Sequence, residues 1–184
     1  MKKIVVFFVV FIFTASACVS SVCGVALYPE DSFTVFPVAE GGEIAAKINT
    51  SVPFCGFELK TGESSESGLV LTLSVYSYSG SYSGTVSSQP VAQAEFSEVQ
   101  AGQWLYLQTR EMPAGEYLLV ANVKSAGATF DKTAGRSDLV DFYYAQSPLP
   151  EGAFLFRLIY KADKAEGAVL SQLLTSSSAQ SSGE

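Results

Sequence analysis

The sequence predicts one all-β domain over residues 27–160, an antiparallel β-sandwich that is jelly-roll-like. Three observations support this prediction. Short segments alternate between apolar and polar residues, stretches rich in Gly, Ser and Pro separate them, and no central segment repeats its apolar residues at the helical period. About nine such segments follow one another, which is typical of two packed antiparallel sheets.

The predicted strands follow from the alternation of their side chains. In Leu69–Tyr78, every second residue from Leu69 to Val75 is Leu or Val, so one face of this strand is apolar. In Phe54–Lys60 the same rule puts Cys55 on the apolar face. Glu116–Val123 is apolar on both faces and is therefore predicted to be a central strand. The other predicted strands are Phe33–Pro37, Glu43–Asn49, Val91–Val99, Trp104–Arg110, Leu139–Ala145 and Phe154–Tyr160.

Two connections carry their own predictions. Met112–Gly115 reads Met-Pro-Ala-Gly, which indicates a tight turn, and Tyr117 just after it can bury its ring and bond its hydroxyl to a loop. Ser77–Ser88 is rich in Ser, Gly and Tyr. We expect a flexible hairpin connection there, and the alternative is a binding loop.

The N-terminus has the pattern of a bacterial export signal. Lys2 and Lys3 precede the apolar run Ile4–Phe13, and Ala15–Ala17 supplies small residues just before Cys18. The run is shorter than the roughly 20 apolar residues that span a membrane. We therefore predict a signal peptide over residues 1–17 and a protein that works outside the cytoplasm, in the extracellular space or at the cell surface.

The cysteines leave two questions open. Cys18 either begins a soluble mature chain or becomes the acylated first residue of a lipoprotein, although most lipoproteins have Leu, Val or Ile at the place of Ala15. An acylated Cys18 would be the chain's one link to a membrane. Cys23 and Cys55 either form a disulfide, which an oxidising exterior allows, or stay unpaired, with Cys55 as a small buried residue.

Composition excludes several classes of function. Removal of Lys2 and Lys3 with the signal peptide lowers the formal charge from −7 to −9, so nucleic-acid binding is not expected. The chain has no histidine, which excludes Ser-His-Asp and Cys-His catalysis and zinc sites built on imidazole. Carboxylates that could hold a structural Ca²⁺ are present without the spacing of a dedicated calcium loop. They are Glu40, Glu43, Asp138 and Asp141.

The C-terminal residues 161–184 differ from the rest of the chain. Residues 162–175 could form a weak helix, and residues 176–184 are a polar run rich in serine. We interpret residues 161–184 as a tail or linker.

A family resemblance supports the fold. Residues 87–99 read SSQPVAQAEFSEV, and after a turn residues 104–123 read WLYLQTREMPAGEYLLVANV. Together with Phe54–Leu59 and Glu151–Leu158, this order resembles a jelly-roll module of secreted bacterial proteins in carbohydrate-degrading and cell-surface systems. The resemblance covers roughly residues 33–160. It implies the fold and a function like that of a carbohydrate-binding module, and it carries over no residue roles.

Aromatic side chains at alternate strand positions are the best functional candidates. If the intervening Leu residues face the core, the aromatic residues face outward, where sugar rings stack on them and polar neighbours bond sugar hydroxyls. We therefore expect one sheet face to carry Trp104, Tyr106, Tyr76 and Tyr78, with Gln108 and Arg110 beside them.

The sequence thus favours an exported, non-catalytic module that binds a polysaccharide or a cell-surface glycan. One alternative is a structural or adhesion module that binds another protein, and a more remote one is a hydrolase with paired carboxylates.

Overall fold

The structure is a computed structural model that describes residues 22–26, 33–65, 68–125, 128–133 and 140–161. The predicted signal peptide, Cys18, Asp138 and residues 162–184 of the predicted tail lie outside the described residues. Within them the chain forms strands and one short helix. These are β1 (Val22–Ala26), β2 (Phe33–Val38), β3 (Glu43–Thr50), β4 (Phe54–Lys60), β5 (Leu69–Ser77), α1 (Tyr82–Val86), β6 (Ala92–Val99), β7 (Trp104–Met112), β8 (Gly115–Val123), β9 (Ala128–Thr133), β10 (Val140–Tyr144), β11 (Ser147–Pro148) and β12 (Phe156–Lys161).

The strands form two packed sheets and a ribbon. One sheet has four strands in the order β1-β12-β4-β7, the other has six in the order β11-β10-β3-β8-β5-β6, and β2 pairs with β9 alone. Every strand pair among the described residues is antiparallel. The predicted antiparallel β-sandwich is confirmed, and β8 is a central strand, between β3 and β5.

The core lies between the two larger sheets and follows the predicted alternation. Leu71 and Leu73 of β5 are fully buried, as are Phe57 and Leu59 of β4 on the facing sheet. Burying each such side chain contributes about 1.5–3 kcal/mol relative to leaving it exposed. Aromatic residues from β9, β12 and the segment before β12 fill the space toward the ribbon, where Phe154 packs edge-on against Phe130.

The predicted turn between β7 and β8 is present. Met112 ends β7 and Gly115 begins β8. Tyr117 is buried and its hydroxyl donates a hydrogen bond to the Pro113 carbonyl at 2.9 Å, as predicted. The ring packs edge-on against Phe54 of the opposite sheet, so this tyrosine fastens the turn to the core.

Several elements differ from the sequence prediction. The sheets also contain β1, β9 and β11, and β1 begins at Val22, ahead of the predicted domain start at residue 27. The connection after β5 contains the helix α1 instead of an irregular loop. The Ser81 side chain caps α1 by accepting a hydrogen bond from the Gly84 amide, and Tyr82 and Thr85 face inward.

The predicted position of Cys55 on the core face is wrong. A register shift between Phe54 and Gly56 breaks the alternation of β4, so Phe54 and Phe57 both face the core. Cys55 is half-buried, and its thiol donates a hydrogen bond to the Ile159 carbonyl of the neighbouring strand at 3.3 Å.

The sequence left open whether Cys55 forms a disulfide with Cys23, and the structure favours the unpaired alternative. Cys55 is a free thiol. Cys23 pairs with Tyr160 on one side of β12, while Gly56, next to Cys55, pairs with Ile159 on the other side. Because β12 lies between β1 and β4 and neighbouring strands are about 4.8 Å apart, the two cysteine Cα atoms are about 10 Å apart. A disulfide needs about 4.4–6.8 Å between them.

Candidate functional site

The outward side of β7 carries most of the predicted binding residues. Leu105 and Leu107 are buried in the core. The alternate residues point away from it: Trp104 is half-buried, and Tyr106 and Gln108 are exposed. The alternation of the sequence thus placed these three side chains on the outer face of a sheet.

The register of the four-stranded sheet brings polar partners to these rings. Glu58 of β4 lies between Tyr106 of β7 and Arg157 of β12, with each pair directly opposed. Lys60 is opposite Trp104. We call this part of the sheet the Trp104 surface, and we define it as Trp104, Tyr106, Gln108, Glu58 and Arg157.

Arg157 is stacked on the tryptophan. Its guanidinium carbon lies 3.7 Å from the centroid of the Trp104 ring, which is a cation–π contact. The guanidinium also lies 3.9 Å from a carboxylate oxygen of Glu58. Because three strands contribute to this stack, the indole is held against the sheet and one of its faces is covered.

Tyr106 is the more accessible ring. It is 37% exposed, and the other large apolar or aromatic side chains in the described residues that are exposed to this extent, Phe33 and Val35, lie on β2. The Tyr106 ring crosses over Gly56 of β4: a Cβ atom at Gly56 would come within 2.6 Å of Tyr106 Cε2. Partial burial raises the pKa of the Tyr106 hydroxyl, so the hydroxyl is protonated at neutral pH and can donate a hydrogen bond.

Arg110 is exposed on the same outward side of β7, two residues beyond Gln108. β4 pairs with this end of β7 through Phe54 and Met112. Arg110 therefore lies toward the other end of the strand from Trp104, and we leave it outside the Trp104 surface.

The prediction that Tyr76 and Tyr78 share one sheet face with Trp104 is wrong. Tyr76 belongs to β5, and β5 lies in the six-stranded sheet between β8 and β6. The chain crosses from that sheet to the four-stranded one in the turn between β6 and β7. Alternation determines which way a side chain points from its strand, and it does not determine which sheet the strand joins.

Both tyrosines pack into a small cluster beneath α1. Tyr82 is buried there, with Tyr76, Tyr78 and Tyr143 partly buried around it. The Lys47 ammonium lies 4.7 Å above the Tyr78 ring and 3.2 Å from a Glu116 carboxylate oxygen. The hydrogen bond that the Lys47 ammonium donates to the Glu116 carboxylate raises the pKa of Lys47. This helical cover was not predictable from the sequence, because the five residues of α1 are too few to show a helical pattern.

The described residues contain no group of three acidic or cysteine side chains close enough to hold a metal ion. Glu40, Glu43 and Asp141 are among those residues, and Asp138 is outside them. No described helix is long and apolar enough to cross a membrane.

No model of a known protein family matches the chain. A search of curated protein sequences also finds no significant match.

Two residues of the Trp104 surface, Arg157 and Glu58, were not predicted from the sequence. The alternation of β12 and β4 places both on the outer face, between core residues such as Leu158 and Leu59. Their position beside the aromatic rings depends on strand order, which the local pattern does not contain.

Proposed function

We propose that this protein is an exported, non-catalytic module that binds a polysaccharide or a cell-surface glycan through the Trp104 surface. The observation that carries the proposal is the exposed Tyr106 ring beside the Trp104–Arg157 stack. Solvent-facing aromatic rings supply flat apolar area on which the C–H face of a sugar ring stacks, at low cost in side-chain entropy.

The polar residues around the aromatic rings can form hydrogen bonds with the hydroxyl groups of a sugar. Glu58 accepts hydrogen bonds from hydroxyl groups, and Gln108 and Arg157 donate to hydroxyl oxygens. The charges of Glu58 and Arg157 balance one another, so the surface suits a neutral polyhydroxylated ligand. The surface lies on a sheet face and not in a deep pocket, which suits the side of a long chain.

Retention on insoluble polysaccharides tests this proposal. We expect the protein to be retained by at least one of cellulose, chitin, xylan and starch, and Tyr106→Ala to lose that retention. Loss of an aromatic anchor costs about 2 kcal/mol or more, which is about 30-fold in affinity. Tyr78→Ala is the matched control, because Tyr78 follows β5 on the side of the six-stranded sheet, away from the Trp104 surface.

Two outcomes would contradict the proposal. One is that no polysaccharide or glycan array retains the wild-type protein. The other is that Tyr78→Ala reduces retention as much as Tyr106→Ala while both variants keep the wild-type melting temperature.

A second candidate function is a structural or adhesion module that binds another protein. Phe33 and Val35 favour it, because they are 50% and 54% exposed on β2. Exposed apolar side chains on one strand are typical of protein contact sites. A Val35→Lys variant that loses a protein partner but keeps its glycan retention would support this candidate.

A further inference from the structure

A cleft of about 280 Å³ opens on the outer face of the six-stranded sheet, on the opposite side of the sandwich from the Trp104 surface. We call it the Glu43 cleft. Most of the residues that line it are polar and come from four adjacent strands. They include Glu43, Thr72, Ser74, Tyr76, Gln93 and Asn122.

Strand register assembles these polar residues. Thr72 of β5 is opposite Asn122 of β8, and Asn122 is opposite Glu43 of β3, so a polar row crosses three strands. In the next row, Ser74 is opposite Gln93 of β6, and the Gln93 amide donates to its hydroxyl at 2.9 Å. The Thr72 and Ser74 side chains are buried although they point away from the core.

Two buried polar groups lie side by side at the edge of the cleft, without a well-formed hydrogen bond. Neither Glu43 Oε1 nor the hydroxyl of Tyr82 makes a hydrogen bond of good geometry within the described residues, and the Tyr82 hydroxyl is itself a weak donor to the Glu43 carboxylate. Tyr82, in α1, is only 8% exposed. Burial is the largest cause that raises the pKa of Tyr82, and the charge of Glu43 adds to it, so the two groups are near neighbours. Buried polar groups without partners are rare in folded proteins, because each costs free energy.

The Glu43 carboxylate has room to accept hydrogen bonds from a ligand in addition to the weak one from Tyr82. Rotation of the Glu43 carboxylate exchanges its two oxygens, so a donor in the cleft can satisfy it without a change in the backbone. Lys124 also lines the cleft and forms no ion pair with a carboxylate of the described residues. An acceptor on the same ligand can therefore meet its ammonium group.

The chemistry of the lining selects the class of ligand. Glu43 disfavours an anion, and Lys124 disfavours a cation. Tyr76 and Val86 add apolar surface, and the hydroxyl and carboxamide groups of the polar rows donate and accept hydrogen bonds. The volume of about 280 Å³ is just below the roughly 300–1,000 Å³ of drug-sized ligand sites, so the cleft suits only a small molecule.

We infer that the Glu43 cleft binds a single sugar ring, such as a free hexose or the end residue of a glycan. Hydroxyl groups of the sugar donate to Glu43 and accept from Lys124 and Asn122, and its C–H face packs on Tyr76. This inference does not rest on the Trp104 surface, because the two sites are on opposite sheets and share no residue.

Titration of the ¹⁵N-labelled full chain with D-glucose, D-galactose, D-mannose and N-acetyl-D-glucosamine tests the inference. We expect at least one sugar to give saturable shifts of the Gln93 and Asn122 amides, with a dissociation constant in the millimolar range. The shifts should persist in Tyr106→Ala, so that failure of the Trp104 surface and failure of the cleft are distinguishable.

Glu43→Gln should weaken this binding on the order of tenfold, because a hydrogen bond to a charged group is lost. Glu95→Gln is the matched control: Glu95 is opposite Thr72 on the same sheet, is exposed and does not line the cleft. If Glu43→Gln fails to fold, Lys124→Met, at the exposed end of the cleft, replaces it in the test. We expect Lys124→Met to weaken sugar binding as well.

Three outcomes would overturn the inference. The first is that no sugar shifts the cleft amides. The second is that Glu95→Gln weakens binding as much as the cleft variants. The third is that a zwitterionic amino acid such as L-alanine shifts the same amides while the sugars do not, which would assign the two charges of the cleft to a different class of ligand.

Discussion

The guanidinium of Arg157 lies on the indole ring of Trp104, with 3.7 Å between the guanidinium carbon and the ring centroid. The two residues come from strands that are not adjacent, because β4 runs between β12 and β7. The contact therefore spans three strands of the four-stranded sheet. It fixes the orientation of the ring on the surface that we propose for glycan binding.

Replacement of Arg157 should release the tryptophan. A cation–π contact of this kind contributes about 0.5–2 kcal/mol, so Arg157→Ala should lower the free energy of unfolding by about 1 kcal/mol. Trp104 is the only tryptophan of the chain, so its fluorescence reports on this site alone. We expect the emission to shift to longer wavelength as water reaches the ring. Unchanged emission and unchanged stability would mean that the contact does not hold the ring in solution.

Gly56 should be necessary for the position of Tyr106. A Cβ at this position would lie 2.6 Å from both the Leu107 carbonyl oxygen and Tyr106 Cε2, closer than nonbonded atoms approach. Gly56→Ala should therefore destabilise the fold by about 1–3 kcal/mol and displace the ring, with loss of glycan retention. Gly24→Ala is the control for stability, because its Cβ would meet side-chain atoms and no backbone: the flexible end of Ile159 at 3.3 Å and Arg157 Cδ at an ordinary contact distance of 3.6 Å. Equal melting temperatures for the two variants would contradict this prediction.

Reducing agents should leave the stability unchanged. Cys55 is a free thiol, and burial is the main cause that raises its pKa, so it should react slowly with thiol reagents in the folded protein. Thermal unfolding with and without dithiothreitol should give the same midpoint, since loss of a native disulfide typically costs 2–5 kcal/mol. A lower midpoint in dithiothreitol, or a peptide that links Cys23 to Cys55 in mass spectrometry, would contradict the structure.

Asp131 should make stability depend on pH. Burial raises the pKa of its carboxyl above the ordinary 3.8, although the nearby ammonium of Lys60 opposes the rise. The folded chain then binds this proton more tightly than the unfolded chain, so the contribution of Asp131 is most favourable below pH 3.8 and is lost as the pH rises through the raised pKa.

Asp131→Asn should remove this dependence. Denaturant unfolding at a series of pH values should show that the stability of the variant gains on that of the wild type as the pH rises from about 3.8 through the raised pKa. A difference that stays constant, or that changes in the opposite direction, would show that the burial of this carboxyl has no energetic effect.

Local sequence patterns predicted most of the strands, but they did not predict which strands pair with one another in the sheets. The alternation in β5 and β7 sufficed because apolar and polar residues follow one another strictly there. β9 has buried Thr133 and Asp131 among its residues, so no alternation of apolar residues marks it as a strand. The bulge at Gly56 reversed the side of Cys55, and a bulge depends on pairing with a second strand.

The candidate site was predictable to the same extent. Leu105 and Leu107 alternate with Trp104 and Tyr106 along β7, and this alternation predicted that the two aromatic side chains point outward. The prediction that Tyr76 and Tyr78 share a sheet face with Trp104 was wrong, because no local sequence pattern shows that the chain crosses to the other sheet after β6. Arg157 is more than fifty positions from Trp104 in the chain, so their contact arises only from the order of strands.

Fluorescence of Trp104 tests the central claim most directly. The wild-type protein would be titrated with soluble oligosaccharides cut from the polysaccharide that retains it. We predict a saturable change in emission, which Tyr106→Ala abolishes and Tyr78→Ala preserves. Binding of the oligosaccharide without any change in the emission of Trp104, or with equal loss in the two variants, would contradict the assignment of the Trp104 surface as the glycan site.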